Sequence, residues 1–95
     1  MTLKDTKITK KLTSMPYAQA RVEIQGDHIA LISYATKVAE IRGGWLKILG
    51  LYSATTRKHI GAFVKEYANL QYSTARTIFE KNLEMNVETG EVREF

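Results

Sequence analysis

Residues whose chemistry stands out concentrate in one segment of this 95-residue chain, Tyr52-Ser53-Ala54-Thr55-Thr56-Arg57-Lys58-His59-Ile60. Ser53, Thr55 and Thr56 carry hydroxyls of the kind that accept from the unpaired N–H groups of a helix's first turn. Arg57, Lys58 and His59 then place positive charge where the helix dipole prefers negative charge by about 0.3–1 kcal/mol per group. A helix start that combines spare N–H donors, hydroxyls and cations forms a cradle for a phosphate or carboxylate. Ser53, Thr55, Thr56, Arg57, Lys58 and His59 are therefore the candidate anion- or partner-binding residues. In the simpler alternative, Arg57 and Lys58 point into water or pair with the acidic C-terminal segment, and His59 is a surface or cap-region residue.

A second candidate surface is Trp45 beside Arg42, with Lys47 two residues on. An exposed aromatic among cations stacks nucleobases for about 1–3 kcal/mol each. The alternative is packing, with Trp45 at the rim of the core and Arg42 across its face. Catalysis finds less support. The two histidines, His28 and His59, have no second ligand at zinc spacing, and neither Ser33 nor Ser53 lies in a nucleophile-elbow context. Gly43-Gly44 lacks the lysine and hydroxyl of a phosphate loop. The expectation is a non-enzyme with no metal and no cofactor.

These residues need elements to hold them. From Ala18 the chain alternates, with Ala18, Ala20, Val22 and Ile24 on one face, as a half-buried strand does. Gly26 and Asp27 suit a tight turn, and the chain returns as His28 to Tyr34. Ala35 to Ile41 reads as a continuation of that strand or a second one bent from it. A turn at Gly43-Gly44 sets Arg42 opposite Trp45, Ile41 opposite Leu46, Glu40 opposite Lys47 and Val38 opposite Leu49, matching apolar with apolar and acid with base. After Tyr52, Ile60, Phe63, Val64 and Tyr67 fall at helical spacing, predicting a helix over 55–69. A second helical pattern over 73–84 uses Ala75, Ile78, Phe79 and Leu83, with Ser73 as N-cap. The predicted fold is α+β, an antiparallel sheet of three or more strands followed by one or two helices packed on one face. The predicted core is Ile24, Leu31, Ile41, Leu46, Ile48, Ile60, Phe63, Val64 and Ile78.

Composition sets the frame. Hydrophobic residues at 44% and charged residues at 25% suit one globular domain over 1–95. The absence of cysteine excludes disulfides and thiolate metal sites, and no apolar run approaches the roughly 20 residues of a membrane span. A cytoplasmic location is expected, with no membrane partner. The net charge of +4 is uneven. Residues 1–16 hold four lysines against Asp5 and read as a basic, loose segment up to the single proline, Pro16. Residues 85–95 are acidic, with Glu88, Glu91 and Glu94, and read as a tail or a small hairpin. An uncovered sheet edge or face offers a route to a homodimer.

The run Leu31-Ile32-Ser33-Tyr34-Ala35-Thr36-Lys37-Val38-Ala39-Glu40-Ile41, with residues 52–60 and Phe63, resembles a family of small proteins from phages and mobile elements of Gram-positive bacteria. The likeness covers the middle of the chain: a strand, a glycine turn, a strand and a YSxTTxxHI-like helix start. It implies a setting rather than a mechanism. Small accessory proteins in that setting act by occupying host proteins, so the expected function is a stoichiometric inhibitor or modulator of a host defence system such as a CRISPR-Cas nuclease. The chain is basic, so it would bind an acidic protein patch or the guide RNA rather than imitate DNA. The alternative is a nucleic-acid-binding accessory module that uses the basic helix N-terminus.

Overall fold

A computed structural model describes residues 6–94. It is an α+β fold, a seven-stranded antiparallel sheet in sequential order with two helices on one face. The strands are β1 (Ile8–Lys10), β2 (Ala20–Gln25), β3 (His28–Ser33), β4 (Thr36–Arg42), β5 (Trp45–Ile48), β6 (Leu83–Asn86) and β7 (Val92–Glu94). The helices α1 (Ala54–Ala68) and α2 (Tyr72–Glu80) form one excursion between β5 and β6, which pair directly through Trp45↔Asn86 and Leu46↔Met85. The helices are thus inserted within the sheet's strand order, with two strands after them.

Period-two alternation decides which face the helices cover. Ala20, Val22, Leu31, Ala39, Ile41, Leu46 and Ile48 point toward them and join Ile60, Phe63, Val64, Ala75 and Ile78 in the core. Ile24, expected in the core, is only partly buried and packs at its edge. The glycine hairpin closes as Arg42↔Trp45, Ile41↔Leu46 and Glu40↔Lys47, and Leu49 N–H donates to the Val38 carbonyl over 2.8 Å. Gly43 and Gly44 both take positive φ, 57° and 85°, which this turn demands.

Two open alternatives are decided and two local expectations change. The stretch after Ile29 is two strands, because Tyr34 adopts φ 55° and turns the chain; tyrosine is not a turn residue by type, so the sequence showed no break. A register shift between Leu31 and Ile32 then lets both Val38 and Ala39 enter the core. The second helix starts at Tyr72 with Gln71 as N-cap and no side-chain cap bond, which places Ser73 inside the helix, and it ends at Glu80. Residues 8–10 are strand β1, and Leu12 just after it is fully buried. Residues 83–94 form the β6–β7 hairpin, registered through Met85↔Val92.

Candidate functional site

The 53–59 segment divides into an inward half and an outward half. Ser53 is the N-cap of α1, and its Oγ accepts from Thr56 N–H over 3.2 Å. Thr56 faces the core at 4% exposure, so its Oγ1 lies 3.3 Å from Ser53 Oγ and 3.1 Å from Ser33 Oγ. Ser33 Oγ also lies 2.9 Å from His59 Nδ1. The result is a chain of polar side chains, Ser53–Thr56–Ser33–His59, that fastens the start of α1 to the end of β3.

His59 is 1% exposed, which corrects the surface or cap-region placement. The helical period explains it, since Thr56, His59, Ile60 and Phe63 share one face. Tyr34 lies over it with ring centroids 6.0 Å apart. Burial holds the His59 pKa below its ordinary value, because charging the ring inside the protein costs desolvation. Ser33 and His59 stand at a nucleophile–base separation, but Ser33 is 2% exposed and no described carboxylate hydrogen-bonds the ring to orient it. As placed, this network clamps α1 to β3. The signal for it was in the sequence, as Ser33 sits on the inward phase of a strand and Thr56 and His59 are three apart.

Thr55, Arg57 and Lys58 face solvent. Ser53 already satisfies the first-turn donor at Thr56, so the six predicted residues do not form one cradle. Arg57 and Lys58 instead border a shallow groove of about 520 Å³, completed by Met15, Gly61, Ala62 and Tyr72. Its floor is low because Gly61 packs against α2, where an added Cβ would lie 3.4 Å from the Tyr72 Cβ. Lys65, one turn beyond Gly61, borders the continuation of the groove toward Leu70 and Gln71. Among the described residues, Arg57, Lys58 and Lys65 make no ion pair or hydrogen bond through their side chains. Arg57 and Lys58 therefore do not pair with the described part of the acidic tail.

Arg42, Trp45 and Lys47 lie on the other face of the sheet, which no helix covers. Arg93, rather than Arg42, lies over Trp45, with its guanidinium carbon 3.7 Å from the ring centroid. Arg93 also contacts Glu84 over 2.8 Å. Glu40 Oε1 gathers His28 Nε2 at 2.8 Å, Lys37 Nζ at 3.1 Å and Arg42 Nη2 at 3.9 Å. Burial alone would raise the Glu40 pKa, but the hydrogen bonds and charges of His28 and Lys37 outweigh it and hold the carboxyl below its ordinary range. Sequence reading missed Glu40 as a hub and Arg93 as the stacking partner. The first needed the β3–β4 register and the second the β5–β6–β7 pairing.

Among the described residues no group of three or more His, Asp or Glu side chains is placed to hold a metal, and no helix is long and apolar enough to cross a membrane. The model of a family described as a family of unknown function, DUF8033, matches residues 1–81. No curated protein and no solved structure matches the chain.

Proposed function

The chain belongs to the DUF8033 family, and from that footing we propose that it is a binding protein whose α1 face docks an acidic segment of a partner protein and modulates that partner stoichiometrically. One observation carries the reading: Arg57 and Lys58 border an apolar groove, Lys65 borders its more polar continuation, and none of the three has a compensating carboxylate among the described residues. One of these cations, Arg57, sits in the first helical turn, where it costs about 0.3–1 kcal/mol against the dipole. An acidic partner offsets that cost while the groove takes up an apolar anchor, the arrangement in which an interface derives both steering and affinity.

The phage and mobile-element resemblance makes a host defence protein, such as a CRISPR-Cas nuclease, the first target to test. Edge strands β1 and β7 are three residues each and carry or adjoin Lys7, Lys10 and Arg93, features that blunt strand-to-strand association. A protein of another kind is therefore favoured over a second copy. The test is capture of tagged protein from host lysate after nuclease treatment, in parallel with Arg57→Glu/Lys58→Glu. The captured protein is then purified and titrated back. A one-to-one complex that the double variant loses supports the proposal. Material that nuclease removes, or a complex indifferent to the charge reversal, refutes it.

A further inference from the structure

The helix-free face of the sheet shows a second arrangement that the groove does not use. Its outward positions carry Arg21, Lys37, Arg42, Lys47 and Arg93, and Lys7 adjoins them beside β1. The carboxylates among them are Glu23, Glu40 and Glu84, and they sit low. Their side chains are 15–23% exposed, whereas the cations paired with them are 41–67% exposed. Glu23 holds both Lys7 and Arg21, and Glu40 holds His28, Lys37 and Arg42. Glu23 and Glu40 thus each fix more cations than they neutralise, while Glu84 fixes Arg93 alone, and an approaching partner meets an ordered surface of net positive charge.

The same face has little exposed apolar area. Ala30 is 4% and Ile32 8% exposed, the former flanked in register by Glu23 and Glu40 and the latter by Arg21 and Lys37. Beyond Trp45, a protein partner would find no apolar anchor there. What the face does offer is one planar stack, the Arg93 guanidinium on the Trp45 ring, with Arg42 directly opposite Trp45 and with Arg21 and Lys37 two strands apart across Ile32, about 10 Å by the strand spacing. Spaced cations suit a phosphate chain, and a guanidinium plane backed by a partly buried aromatic ring suits an unpaired base. A broad sheet face enters neither groove of a duplex as a helix or two-stranded ribbon does.

We propose that this face, centred on Trp45 and Arg93 and flanked by Lys37 and Arg42, binds single-stranded nucleic acid. The site is independent of the α1 groove.

Trp45 is the sole tryptophan and reports on its own site. Wild-type protein is titrated with a labelled oligouridylate of about a dozen nucleotides, following label anisotropy and Trp45 emission across a salt series. Binding quenches Trp45, and the affinity falls with salt by about 0.7 in logarithmic slope for each phosphate contact. Lys37→Gln/Arg42→Gln flattens that slope by about 1.4. Trp45→Ala, followed by anisotropy, weakens binding about five- to hundredfold, while Arg57→Glu/Lys58→Glu retains the quench. Circular dichroism checks that each variant folds, and Arg93→Ala serves as a second probe of the stack if Trp45→Ala does not. No binding at about 50 mM salt overturns the proposal. So does binding that ignores the sheet-face variants and disappears with the α1 variant.

Discussion

Ser33→Ala removes the centre of the buried clamp. In the native chain Ser33 Oγ lies 2.9 Å from His59 Nδ1 and 3.1 Å from Thr56 Oγ1, and all three residues are at most 4% exposed. Without the hydroxyl, His59 Nδ1 loses its hydrogen-bond partner, and a buried unsatisfied group costs about 1–3 kcal/mol. Thr56 keeps Ser53 Oγ at 3.3 Å and loses one hydrogen bond, worth about 1 kcal/mol. The sum is about 3 kcal/mol, or about 12–24 °C in Tm for a domain of this size. Chemical denaturation at pH 7.5, followed by Trp45 emission and circular dichroism, measures it. His59→Phe leaves Ser33 with Thr56, and the double variant removes donor and acceptor together. A cycle over Ser33→Ala and His59→Phe therefore returns a coupling energy of about 1–2 kcal/mol. A Ser33→Ala cost below about 0.5 kcal/mol, or an additive cycle, refutes the clamp.

The remaining expectations are quick to test. The His59 pKa is held below its ordinary 6.5, so the folded and unfolded states bind protons alike above pH 6.5. As pH falls below that value the unfolded ring charges first, and stability drops until the folded ring also protonates; His59→Phe lacks this loss between pH 7.5 and 5.5 in denaturation midpoints. Glu40 has the same sign of linkage, about its ordinary 4.5. Its depressed pKa contributes stability that is present above pH 4.5 and lost as pH falls through the folded value. Glu40→Gln removes that acid limb and costs about 1–3 kcal/mol at neutral pH, read by the same midpoints. Phe63→Ala, at a site with no exposure, costs about 3–5 kcal/mol in denaturant unfolding. Asn69 caps α1 at φ 55°, so Asn69→Gly is near neutral and Asn69→Val lowers Tm, because a β-branched side chain resists that conformation.

Much of this molecule follows from the sequence alone. Alternation through Ala20, Val22 and Ile24, the demand of Gly43-Gly44 for positive φ, and the helical spacing of Ile60, Phe63 and Val64 are local properties. They fix the hairpin register, α1 and most of the core before any long-range contact is known. The exposure of Arg57 and Lys58 is equally local, as both fall off the apolar face. Tertiary structure decided what spacing cannot encode. Tyr34 accepts positive φ although nothing in its type announces a turn, and β6 joins β5 across two helices. His59 meets Ser33 from 26 positions away, and Arg93 reaches Trp45 through two strand pairings. Each is a contact between segments distant in sequence, and whether it forms depends on the summed burial of the whole sheet and both helices rather than on the residues that make it.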